Sequence, residues 1–185
     1  MFLYVKGAFT LEYSPEKCYI CTMNPASLPS DTRLPELRLP PAPMRLQAEG
    51  GLVRVFDPLR RRFVALTPEE WVRQHFVHFL IHHKGYPAAR MANEMAIHVG
   101  GMTRRCDTVL LNLQGQPLLV VEYKAPSVSI SPATFSQVSA YNSVLRVPWV
   151  MVSNGLTHYC AHLDETSGRW QFLDDIPPYA ALSHS

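Results

Sequence analysis

No apolar run in these 185 residues approaches 18 in length, so no helical membrane span is written into the chain. Charge is sparse as well: 17 Lys and Arg against 15 Asp and Glu leave a formal +2, too small to name a partner by itself. Cysteines are few, four in all, and the N-terminus lacks the ordered charged, apolar and small-residue regions of a secretory signal. That pairing argues for free thiols over a disulfide framework, with the cytoplasm as the expected compartment. Cys18 and Cys21 form a C-x-x-C with no second ligand pair nearby, and they read as incidental thiols before zinc or redox partners. Cys106 and Cys160 sit in strand patterns as small core hydrophobes. There is no G-x-x-x-x-G-K-[ST] phosphate loop, so these residues carry no ATP-driven motor, and no internal repeat.

What is present suits one domain, since a 47% apolar chain of this length can bury a single sizeable core. Prolines crowd the start, at 25, 29, 35, 40, 41 and 43, so residues 1–45 are expected to be a weakly ordered leader. Residues 1–21 could pair as short strands, and Met23 marks an alternative start. The domain is expected over 46–179, followed by a tail at 180–185. Within it, LVRVF and FVAL read as strands joined by a basic turn from Asp57 to Arg62.

Thr67-Pro68-Glu69-Glu70 combines an N-cap threonine, proline at the first helical position and glutamate three residues after the cap, which predicts a helix from Pro68 to Lys84. Gly85 and Pro87 stop it. Val72, Phe76, Phe79, Leu80 and His83 form its inward stripe. His75, His78 and His82 share a face, expected partly exposed in preference to a metal site. A strand from Arg90 turns at Gly100-Gly101, with Glu94 its one acidic residue, a supporting group for the site or a solvent-facing one. Ser131-Pro132 repeats the cap-and-proline start for a helix to Arg146. PWVMVS follows as a buried strand, Asn154-Gly155 as a two-residue hairpin turn, LTHYCAHLD as its partner, and Trp170 to Leu173 as an edge strand.

The segment RRCDTVLLNLQGQPLLVVEYK, Arg104 to Lys124, is the exception to this ordinary patterning. Glu122 and Lys124 end a strand apolar enough to be buried on both faces, and being two apart they point to one side. Asp107 opens the preceding strand, and the turn at 114–117 folds it back against them. Burying a carboxylate is costly without a partner or a metal. Asp107 and Glu122 offer hard oxygen ligands to Mg²⁺, and Lys124 could orient a metal-bound water or offset phosphate charge. The bland alternative is a strand-end salt bridge at Glu122 with Asp107 as a turn residue.

Asp107 followed by Glu122-Tyr123-Lys124 resembles the PD-(D/E)xK nuclease signature, with Cys106 in the place of the proline. From Val120 to Cys160 the chain is similar to the nuclease domain at the N-terminus of type I restriction enzyme R subunits, including that family's Q-x-x-x-Y element at Gln137 and Tyr141. The resemblance implies an α/β, restriction-endonuclease-like sandwich, a central mixed sheet flanked by helices. It implies a Mg²⁺-dependent DNA nuclease without a motor, with Mn²⁺ as the substitute ion. Asp107, Glu122, Lys124, Gln137 and Tyr141 are its expected catalytic set and Asp107, Glu122 and Tyr123 its metal set. It further implies an acidic residue on the first helix, Glu69 or Glu70. DNA is the expected partner, with a restriction or other nucleic-acid-processing protein beside it. Charge is uneven, and a basic half suits a phosphate backbone or is simply a solvated basic face: residues 54–105 hold nine Lys or Arg against four Asp or Glu, while 147–185 hold one against four. Two rivals stay open, a nucleic-acid-binding or assembly module that keeps the fold with little turnover, and a structural domain fragment.

Overall fold

Helix α1, Pro68–Lys84, starts and stops where its local chemistry dictates. Thr67 Oγ1 accepts from Glu70 N at 3.1 Å, Pro68 occupies the first turn, and Gly85 closes the helix at φ 74° with Tyr86 N on Leu80 O. The computed structural model describes residues 34–99, 101–131, 135 and 147–182. The expected strand pair at 1–21 and nearly all of the expected helix at 132–146, including Gln137 and Tyr141, lie outside them.

A three-stranded antiparallel sheet precedes α1: β1 (Leu46–Glu49), β2 (Leu52–Asp57) and β3 (Arg62–Ala65), the first of which the sequence did not announce. The main sheet has six strands in the order β4 (Met91–Val99), β5 (Met102–Leu111), β6 (Pro117–Tyr123), β7 (Trp149–Ser153), β8 (His158–Asp164) and β9 (Arg169–Leu173). All its neighbours are antiparallel except β6 and β7, which run parallel, so the fold is a mixed α/β one.

The apolar pattern explains the layering. Val72, Phe76 and Leu80 bury one stripe of α1 against Leu119, Val121 and Tyr123 of β6 and Met151 of β7. On two smaller clusters, Val109 and Val120 pack with Val147, and Val150 and Val152 with Phe135. β6 and β7 are thus covered on both faces, as continuous apolar runs should be. Each such side chain contributes roughly 1.5–3 kcal/mol relative to an exposed one.

Several boundaries move. Asp107 lies in the middle of β5 instead of opening it, because β5 extends back to Met102 along β4. Packing begins before Leu46: Leu34 is buried, Pro35 O accepts from the Trp71 indole at 3.0 Å, Arg38 N donates to Gly155 O at 2.7 Å, and Leu37 and Leu39 join the core. The leucines between the prolines give this extended segment something to bury. Asn154-Gly155 is part of a four-residue loop, since Asn154 Oδ1 accepts from both Leu156 N and Thr157 N. At the other end, Tyr179–Leu182 is a short helix, α2, whose Leu182 closes the core in place of a free tail.

Candidate functional site at the fork between β5 and β6

The described β5–β6 ladder ends at Thr108–Val121. Beyond it β5 stays paired to β4 as far as Met102, and β6 stays paired to β7 through Tyr123. The two strands part at the next positions, Asp107 and Glu122. Asp107 fills the fork: its Oδ2 accepts from Tyr123 N at 2.8 Å and its Oδ1 from Arg73 at 2.9 Å. Lys124 Nζ donates to Glu122 Oε1 at 2.9 Å, so the two-residue spacing does bring them together. Of the expected residues, Asp107, Glu122, Tyr123 and Lys124 meet at one place. Tyr123 contributes only its main chain there, because its phenol is fully buried and donates to Thr108 Oγ1 at 3.1 Å.

Burial and the Asp107 charge push the Glu122 carboxyl above its ordinary range, against the Lys124 hydrogen bond. Burial alone would lower Lys124, but its hydrogen bond to Glu122 and the charges of Glu122, Asp107 and Glu69 outweigh it and hold the ammonium above its usual value. Lys124 is therefore a cation at neutral pH. Burial and the Asp107 charge raise the Glu69 carboxyl on α1, against the pull of Arg73 and Lys124.

Glu70 has a different task. It is 5% exposed and receives Arg60 at 2.5 Å, Arg73 at 2.5 Å and Gln74 at 2.8 Å. Arg73, 3% exposed, in turn reaches Asp107 and Glu94, each at 2.9 Å, with Glu69 at 3.6 Å. Glu94 thus faces inward, from a backbone at φ 57° that non-glycine residues seldom adopt, and also pairs with Arg105. The chain of bonds continues from Arg60 to Asp57, from Asp57 to Asn93 at 2.7 Å, from Asn93 to Thr108 at 2.6 Å and so to the Tyr123 phenol. It closes on itself, since Tyr123 N returns to Asp107.

Reading the sequence missed Asp57, Arg60, Arg73, Asn93 and Thr108. The available signal was polar residues at spacings of three and four, Glu70, Arg73 and Gln74, on a helix whose neighbours are apolar. His75 also departs from expectation. It is buried, its Nδ1 lies 2.9 Å from Trp71 O, and burial pushes its pKa down to about 4 against that contact. No group of three or more His, Cys, Asp or Glu able to hold a metal occurs among the described residues. Asp107 and Glu122 are the hard-oxygen donors at the fork, in the number of protein carboxylates that Mg²⁺ characteristically takes, and each has a cationic partner, Arg73 and Lys124. No described helix is long and apolar enough to cross a membrane.

Comparison with known proteins places the chain. No curated protein matches it. A solved fragment of an HsdR subunit of a type I restriction enzyme from Vibrio vulnificus YJ016 is similar at 20% identity, with a TM-score of 0.47. That alignment covers 64% of this chain and 25% of the other, so the chain spans about a quarter of that relative's length. Residues 68–177, more than half of the chain and the whole stretch from α1 through β9, match the family described as type I restriction enzyme R protein N terminus (HSDR_N). This chain belongs to that family.

Proposed function

We propose that the chain is a Mg²⁺-dependent DNA nuclease of the PD-(D/E)xK type, and that Asp107, Glu122 and Lys124 carry the reaction. The observation behind this reading is their convergence at the one point where β5 and β6 part. Asp107, Glu122 and the main-chain carbonyl of Tyr123 would hold Mg²⁺, or Mn²⁺ in its place, and the ion would supply Lewis-acid stabilisation and an activated water. Lys124, kept protonated by Glu122, acts as an electrostatic donor to charge growing on the phosphate, a better role for it than general base. Gln137 and Tyr141 would contact a nucleotide or phosphate and support Lys124. The partner would be DNA, with a restriction or other nucleic-acid-processing protein beside it.

One observation favours the rival reading of a binding or assembly module: Asp107 and Glu122 are each already paired, with Arg73 and Lys124. Cleavage of circular and linear DNA with Mg²⁺, Mn²⁺ or chelator separates the two. A nuclease cuts only with metal, an endonuclease nicking the circle and an exonuclease degrading the linear form alone, and Lys124→Ala slows single-turnover cleavage on the order of a hundredfold with DNA affinity nearly intact. Wild type that binds DNA yet never nicks it with Mn²⁺, alone or with a partner subunit, refutes the nuclease.

A further inference from the structure

The turn joining β2 to β3, Asp57 to Arg62, contains more buried polar structure than a surface hairpin requires. Asp57 is fully buried. Its Oδ1 accepts from Leu59 N at 2.8 Å and Arg60 N at 3.0 Å, and its Oδ2 from Asn93 at 2.7 Å and from Arg60 Nε. Arg60 turns inward and divides its guanidinium between Asp57 and Glu70. The two residues that follow do the reverse. Arg61, at φ 53°, and Arg62 are exposed, and neither joins an ion pair among the described residues.

Charge and placement then combine. Arg60 neutralises Asp57, which leaves two adjacent guanidinium groups as the outer charge of the turn. Glu70 is shared between Arg60 and Arg73, and Arg73 bonds Asp107. The turn is therefore tied to the fork through a short series of buried ion pairs, not a flexible connection. Guanidinium groups suit phosphate oxygens in geometry and charge, and a contact held rigidly relative to the reacting centre fixes where a long substrate lies.

We propose that the β2–β3 turn is a contact surface for the phosphate backbone of DNA, with Arg61 and Arg62 each engaging one phosphate. The Asp57, Arg60, Glu70 and Arg73 series holds that contact in register with Asp107. The inference builds on the reading of the chain as DNA-acting, but not on its cutting DNA.

The test is binding of the full chain to a short labelled DNA duplex in chelator, over a series of KCl concentrations. The double variant Arg61→Asn, Arg62→Thr suits the site, since asparagine tolerates positive φ and threonine a strand. It should bind more weakly, with the slope of log K against log salt reduced in magnitude by about 1.8, two phosphates at ~0.9 each. Arg62→Thr alone, a milder change should the double variant lose its thermal transition, should reduce it by about 0.9. Arg169→Ser, on β9 at the opposite edge of the sheet from β4, should leave the wild-type slope. An unchanged slope in folded variants, an equal loss in Arg169→Ser, or no DNA binding by wild type overturns the proposal. Wild type that binds through the turn and never cuts removes the nuclease and leaves this surface standing. Wild type that cuts, with variants of unchanged slope, does the opposite.

Discussion

Replacing Arg73 by glutamine should be among the most damaging changes open to a single charged residue here. The Arg73 side chain is 4% exposed, and it faces Glu70 at 7%, Asp107 at 18% and Glu94 at 19%. Removing one partner of a buried ion pair leaves the other charge uncompensated and costs about 3–5 kcal/mol. For a chain of this size that corresponds to roughly 6–20 °C in Tm. Arg105 supplies the internal comparison, because it pairs with the same Glu94 but is 68% exposed. Arg105→Ala should cost at most about 1 kcal/mol, the range for solvent-screened pairs. Arg73→Lys should recover little, because an ammonium keeps the charge but cannot span Glu70 and Asp107 together. The measurement is thermal unfolding by far-ultraviolet circular dichroism in chelator at neutral pH. If Arg73→Gln and Arg105→Ala lower Tm equally, burial does not rank these pairs and the closed polar ring is not a stabilising unit.

Two other expectations concern the same helix and fork. Mg²⁺ or Mn²⁺ at a hundred times its Kd should stabilise wild type by about 2.7 kcal/mol, and Asp107→Asn should abolish the rise in Tm; an equal rise in both proteins places the ion elsewhere. His75 is neutral in the fold down to about pH 4, while the unfolded chain binds its proton near 6.5, so its contribution to stability is lost as pH falls from about 6.5 to about 4. The loss amounts to about 3 kcal/mol at 1.36 per pH unit, and His75→Phe, which preserves a ring against Trp71, should flatten that part of the stability curve. Parallel curves for variant and wild type would remove His75 as the cause.

The elements that rest on local rules were legible in the residues. Thr67-Pro68 and Gly85 bound α1 because capping is decided within a few residues, and Glu122 and Lys124 share a face because alternation along a strand is geometric. The apolar runs 118–121 and 149–152 similarly announced strands covered on both sides. Leu34 to Leu39 was misjudged from its prolines, since composition records the chain's stiffness but not the Trp71 indole and the Gly155 carbonyl that receive it. Glu70 could be assigned to capping from its spacing, yet its carboxylate belongs to Arg60 and Arg73. Only the tertiary structure brings Asp57, Glu70, Asn93, Asp107 and Tyr123 into one ring, because local pairs such as Asp57–Arg60 and Glu70–Arg73 are joined to each other and to Asn93, Asp107 and Tyr123 by bonds between separate elements. A buried charge takes whichever counter-charge the packing places beside it, and that choice is made by the fold as a whole.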